Sequence, residues 1–332
     1  MRAPARLLPE KVPDAGLRTR RALFRQGVGA FVPAVVLLSL LGVMAMIEPR
    51  FVSLANLAIL ADESSVILLL ATAQTLVILL GGIDLSLAAL AGLASVLIAL
   101  ALPSMGGLGV LGVLTLTTLA GAFQGFVHAR AQLPSVVVTL AGLGMWSGIA
   151  LGIAQATIPI SAGYSAIAWL EGTYFGLPGT FAFAVGALLV LAAALRWLPI
   201  GRYVYAIGLN PTVALLSGIR VDRVKLFAFA TAGLFAGLAG MTMAARTSSG
   251  NPTIADSLLL PCIAAVVIGG TAMAGGVGGL GRTLIGALTI AVLRAGIAAA
   301  GVDPAFEPIA YGILVISAVA LASTWRGNAT TK

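Results

Sequence analysis

Asp62 and Glu63 stand side by side in LADESSVILLL, some eight residues into a long apolar run, and Arg294 lies well inside another. An ionisable side chain in apolar surroundings is costly, so each of these carries a functional reading by default. Asp62 and Glu63 either line a water-filled path or lie near the outer boundary of their run. Gln74, with Thr75 and Ser95, is a milder polar group that either faces a path or hydrogen-bonds a neighbouring helix. Arg294, twelve residues beyond Arg282, either snorkels to a boundary or faces the interior. In GGIDLSLAALAG, two glycines precede Asp84 and an apolar helical pattern follows, with Ser86 in its first turn. A carboxylate there can accept from the free amides of the first turn, so a helix cap is favoured over ion coupling.

Other chemistries lack their residues. The single histidine, His128, cannot complete a serine–histidine–acid set or a metal cluster, and the single cysteine, Cys262, cannot form a disulfide within the chain. A phosphate-binding loop closes on Lys-Ser or Lys-Thr, but the lysines are Lys11, Lys225 and Lys332, none in such a context. The run GGTAMAGGVGGLGRTLIG, 269–286, is therefore read as a helix break within apolar segments. Neither cofactor nor metal is expected.

The elements that must position these groups follow from composition. Of 332 residues, 60% are hydrophobic and 9% charged, whereas a soluble domain has about a quarter charged. The chain is an all-α polytopic membrane protein, because its apolar runs are too long and too continuous for barrel strands. Windows of about 20 residues place ten spans at 28–47, 54–80, 84–102, 108–128, 135–156, 180–198, 224–245, 256–272, 282–300 and 306–324. The 256–281 region, bounded by Pro and Gly, is the weakest span and a candidate re-entrant segment. Residues 1–27 carry seven basic against two acidic groups, and 196–225 five against one. Basic clusters beside apolar spans follow the positive-inside pattern and do not form a nucleic-acid face. Both termini are expected on the cytoplasmic side, with a basic tail at 1–27, the spans at 28–325, a cytoplasmic loop at 199–223 and a tail at 326–332. Glycines four apart, at 121 and 125, at 144, 148 and 152, and at 233 and 237, predict close-packed helix faces.

One short element lies outside the spans. In GLNPTVALLSGIRVDRVK, Asn210 can cap a helix, Pro211 suits its first position and Gly218 the turn after it. The resulting helix over 211–217 is about two turns long, with Val213 and Leu216 on one face. It is either a docking element, using Asn210, Pro211, Val213, Ala214, Leu215, Leu216, Ser217 and Gly218, or an amphipathic segment resting on membrane lipid.

TAQTLVILLGGIDLSLAAL (72–90), GRYVYAIGLNPTVALLSGIRVDRVK (201–225) and IAAVVIGGTAMAGGVGGLGRTLIGAL (263–288), in this order and spacing, resemble permease subunits of bacterial ATP-binding-cassette importers of the ribose/xylose/galactose type. Branched-chain amino-acid permeases share parts of the pattern. The resemblance implies that 211–217 docks on a separate cytoplasmic ATPase. It also implies a homodimer of permeases around one path, and a periplasmic or lipid-anchored solute-binding protein that feeds it. It implies a transport subunit with no catalytic residue of its own. Pathway candidates are Glu63, Gln74, Asp84, Ser86 and Arg294. Where that family carries an Asn-rich stretch, this chain reads LRAGIAAAG (293–301), and Asp62-Glu63 replaces an uncharged polar pair. The expected solute is a sugar or a sugar-like molecule, such as a different polyol, a modified sugar or a sugar-like signal molecule. An ion-coupled carrier using a buried carboxylate is the alternative from another class.

Overall fold

A computed structural model describes residues 32–313 and 316; the 1–27 and 326–332 tails and most of the last predicted span lie outside the described residues. Helix α1 (Val32–Ile47) leads through a short turn into α2 (Leu54–Leu79), followed by α3 (Leu87–Arg130), α4 (Ser135–Ile153) and α5 (Gly179–Trp197). The chain continues through α6 (Pro199–Leu209), α7 (Pro211–Leu216), α8 (Val221–Thr247), α9 (Leu259–Ile268) and α10 (Leu280–Ala299). Six of these helices are long and apolar enough to cross a bilayer: α2, α3, α4, α5, α8 and α10.

Two predicted spans, 84–102 and 108–128, join in α3, which is non-helical only at Gly106, with φ 52°. The arms nevertheless run in opposite directions along α8. In the first arm, Ala91 meets Gly240, and Leu102 shares a cluster with Ala244 and Ala245; in the second, Thr117 meets Gly237 and Gly125 meets Phe229. Gly106 is thus a reversal, possible because a glycine adopts positive φ without a Cβ penalty.

Helix α2 is the axis of the molecule. It starts at Ser53, whose side chain accepts from the Asn56 amide, and every residue from Ser64 to Leu79 is buried. Around it α3, α8, α9, α10 and α5 contribute to one continuous apolar core that includes Leu68, Leu69, Leu76, Phe229, Ala232 and Ile290.

The glycine faces divide into two kinds. A Cβ on Gly121 would meet the Phe229 carbonyl at 2.1 Å, and one on Gly233 the Thr117 carbonyl at 2.2 Å, so α3 and α8 touch backbone to backbone, as small residues allow. Gly144, Gly148 and Gly152 face open space. The close-packed face expected of these three has no partner among the described residues: α4 turns that ridge away from the described bundle.

The eighth predicted span is also corrected. Helix α9 has 10 residues, a rise of about 15 Å against a hydrocarbon core of about 30 Å. Its end is encoded: Gly270, at φ +82°, donates to Val267 O while Thr271 donates to Val266 O, the paired bonds of a left-handed helix stop. Residues 269–279 continue without helix, with Gly275, Gly276 and Gly278 also at positive φ.

At the far end of α8, β1 (Ile158–Pro159) pairs with β4 (Ser249–Gly250), and Tyr164 donates from its hydroxyl to Ala245 O at 2.7 Å. A second short pairing joins β2 (Thr173–Tyr174) and β3 (Leu177–Pro178). These contacts fix the helix turn that carries Arg246.

Candidate functional site: a charged cavity and an exposed short helix

Two places gather candidate residues, at opposite ends of α2. The first is an open cavity of about 340 Å³ between α2, α8, the Ile254–Leu258 stretch, α10 and Glu307. Glu63 and Arg294, two of the five pathway candidates, line it together. Adjacent helix positions diverge by about 100°, so Asp62 and Glu63 do different things. Asp62 pairs with Arg246 at 2.9 Å and accepts a short bond from the Thr180 hydroxyl, tying α2 to α8 and α5. Glu63 projects into the cavity.

Arg294 lines the open cavity, about a third exposed. Its Nε donates to Glu307 Oε2 at 3.1 Å, and Tyr311 donates to the same oxygen at 2.6 Å. Ala295 and Ala298 form the apolar part of that wall. Arg246, Glu307 and Tyr311 were missed by sequence reasoning. Arg246 follows one predicted span and Glu307 and Tyr311 begin another, where a polar side chain is unremarkable, and no local pattern shows that these regions converge.

The other three candidates stay outside this cavity. Asp84 is 1% exposed. Its Oδ1 accepts from the Ser86 amide at 2.8 Å and from the Ser86 hydroxyl at 2.6 Å, and Gln124 approaches that hydroxyl at 3.0 Å. The helix begins at Leu87 with Ser86 as its N-cap. Asp84 therefore closes a turn two residues ahead of the cap and does not cap the helix itself, because the chain still has to bend before α3 starts. Gln74 is fully buried in α2, and its amide has no hydrogen-bond partner among the described residues. Thr75, one residue on, meets Thr283 of α10 at 2.7 Å.

The second place is α7. Asn210 Oδ1 accepts from the Val213 amide at 3.1 Å, and Pro211 takes the first helical position. Beyond the C-cap Ser217, Gly218 at φ +81° donates to Leu215 O while Ile219 donates to Ala214 O. The helix is stopped as α9 is, one residue earlier than expected. Val213, Leu215 and Leu216 are 56%, 62% and 83% exposed, an unusual density of open apolar side chains for two turns. Ala214 is 3% exposed and anchors the helix on its inner side, so its place among the docking residues is corrected.

The 199–223 loop holds a further helix, α6, which was not expected. Gly208 of α6 lies against the end of α2: an added Cβ would fall 1.9 Å from Leu79 O and 2.4 Å from Gly276 N. Gly276 itself donates to Leu79 O at 2.9 Å, and Tyr205 donates to Gly278 O at 3.2 Å. Burial pushes the Tyr205 hydroxyl above its usual range, an effect the nearby Arg282 opposes, so it stays a neutral donor. Helix α7 is thus joined through α6 to the end of α2 and the glycine segment, and through Val221 directly to α8. Sixteen residues separate Leu79 from Glu63 on α2, about 24 Å of helix. Arg246 is 25 residues from Val221, about 38 Å.

A helical membrane bundle with a rigid exposed knob at one end and a polar cavity at the other is built as a permease. The chain belongs to the family described as branched-chain amino acid transport system / permease component, matching it over residues 56–322. It is 34% identical to the ribose import permease protein of Haemophilus influenzae over 303 residues, covering 89% of this chain and 93% of that one. It is 35% identical to the fructose import permease protein of Rhizobium meliloti over 325 residues, covering 93% and 89%. Against the xylose transport system permease protein of Escherichia coli it is 31% identical over 277 residues, covering 64% and 69%. No solved structure matches. The relatives make this a multi-pass inner-membrane protein.

Proposed function

We propose that the chain is the membrane-spanning subunit of an ATP-driven importer that moves a sugar or sugar-like solute inward through the Glu63–Arg294 cavity. The observation that carries the ATP-driven part is α7: a short helix capped at both ends, with its apolar side chains held outward. Single exposed apolar residues need no explanation, but a rigid cluster suits a protein partner. That partner is a separate cytoplasmic ATPase; hydrolysis there moves α7, and α6 and α8 pass the movement to α2 and the cavity. The resemblance to sugar permeases supports the solute class. The amino-acid alternative rests on the family's name, whereas the Haemophilus and Rhizobium relatives are named for ribose and fructose.

In this reading α7 and both termini face the cytoplasm, and the cavity opens toward a solute-binding protein on the other side. A second copy of the chain completes the path, and the unpartnered Gly144–Gly148–Gly152 ridge of α4 suits a close helix contact with it.

The test is uptake by vesicles holding the permease, its ATPase and its binding protein. Replacing Leu215 and Leu216 by Asp should abolish uptake while membrane insertion and basal ATPase activity persist. Normal uptake in that double variant removes α7 from the coupling role. Uptake that stops when ion gradients collapse with ATP intact identifies an ion-coupled carrier instead.

A further inference from the structure

The cavity holds one carboxylate without a counterion. Asp62 is engaged by Arg246 and Thr180, and Glu307 by Arg294 and Tyr311. Glu63 has no ion pair and no side-chain hydrogen bond among the described residues, and it is exposed to the cavity. Of the charged residues that line the cavity, Glu63, Glu307, Arg246 and Arg294, only Glu63 lacks an ion pair among the described residues. Among the described residues Arg294 is held through its Nε alone, which leaves its terminal amino groups to donate to a solute. The unmet demand is therefore for a cation opposite Glu63 and for acceptors opposite the arginine fork.

We infer that Glu63 makes this cavity selective for solutes carrying a protonated amino group on a polyhydroxyl frame, the chemical class of amino sugars. The inference rests on the reading of the cavity as the solute path. A ring amine reaches Glu63 as a charge-assisted donor, and neighbouring hydroxyl oxygens accept from Arg294. A neutral hexose makes the second set of bonds but offers only hydroxyl donors to the carboxylate, and a hexuronate brings a second negative charge to it. Charge-assisted hydrogen bonds are roughly twice as strong as neutral ones, which sets the expected preference at about tenfold.

The experiment uses the full-length permease, purified in lipid nanodiscs, and measures its Tm against concentration for three probes: a 2-amino-2-deoxyhexose, the parent hexose and the parent hexuronate. The pH is mildly acidic, where the sugar amine is protonated. A solute that binds the folded state raises Tm through a stabilisation that grows as the logarithm of 1 + [L]/Kd, so the concentration needed for a given shift reports Kd. The amino sugar should produce the same Tm shift at about one-tenth the hexose concentration, with the hexuronate weakest. Glu63→Gln should bring amino sugar and hexose to the same concentration, each variant being referred to its own solute-free Tm, and Glu63→Asp should keep the order. Equal potency of the three probes in the native chain, a stronger hexuronate, no shift with any probe, or a preference that survives Glu63→Gln overturns the inference. No ATPase is present in this measurement, so it fails independently of the importer reading, which falls only with coupled uptake.

Discussion

Gly208 rests against the carbonyl of Leu79 so closely that the smallest side chain would fall 1.9 Å from that oxygen. This contact joins the helix before α7 to the end of α2, and thereby the exposed knob to the cavity. Gly208→Val must push α6 off α2, since the atoms it meets are backbone and cannot rotate away. Coupling should be lost while the bundle still inserts. The check is the ratio of solute transported to ATP hydrolysed in reconstituted vesicles, expected to drop at least about tenfold, the loss that a small misplacement of a moving part can cause. An unchanged ratio separates the two elements mechanically.

The Asp62–Arg246 pair should matter for order more than for total stability. Both side chains are about a third exposed, and exposed pairs contribute about 0–1 kcal/mol. Asp62→Asn or Arg246→Gln should therefore lower the Tm of the solubilised protein only slightly, yet reduce uptake by loosening α8 at the cavity. Exchanging the two charges, Asp62→Arg with Arg246→Asp, should recover part of the uptake lost in either single exchange. Additive losses in the exchanged double variant argue against a direct pairing role.

Asp84 acts through an oxygen. Its Oδ1 receives both Ser86 bonds, and Asn keeps that acceptor. Asp84→Asn is expected to be mild and Asp84→Leu severe in membrane yield and uptake, because the Leu variant leaves buried donors unpaired at a cost of about 1–3 kcal/mol. Equal loss in both variants points to the charge itself and to ion coupling.

The α4 ridge gives a prediction about assembly. A Cβ added at Gly148 meets no atom of the described residues within 4 Å, so the monomer fold should tolerate Gly148→Leu. If the ridge faces a second copy, the substitution should shift the purified permease from dimer to monomer by light scattering. A retained dimer places the second copy on another face.

How much of this was readable in the sequence differs by kind of signal. Span positions were, because a window of apolar residues reports burial in lipid or protein alike; α2, α4, α5 and α10 fall within a few residues of their predicted windows. Both ends of α7 were readable, since Asn210 and Gly218 act on atoms two to four residues away. What was hidden is non-local. Nothing around Arg246 announces Asp62, 184 positions earlier, and the meeting of Arg294 with Glu307 depends on how the chain turns after α10. The orientation of the α4 glycines was equally hidden, because a four-residue spacing marks a smooth face without saying what lies against it. Helix α6 was missed because a basic segment beside a span reads as connecting loop, although Gly201, Val204 and Ile207 are all buried.

The enclosure of α2 has a consequence for how the molecule is made. Sixteen consecutive residues, Ser64 to Leu79, are shielded by protein on every side. The ribosome delivers this segment early, before α8, α9 and α10 exist, so it first dwells among acyl chains and must later exchange them for side chains. Its predominantly apolar composition serves that first residence, while its shape serves the second. Biogenesis therefore asks lipids to vacate the centre of the bundle, and the fold is finished only when the last wall has been synthesised.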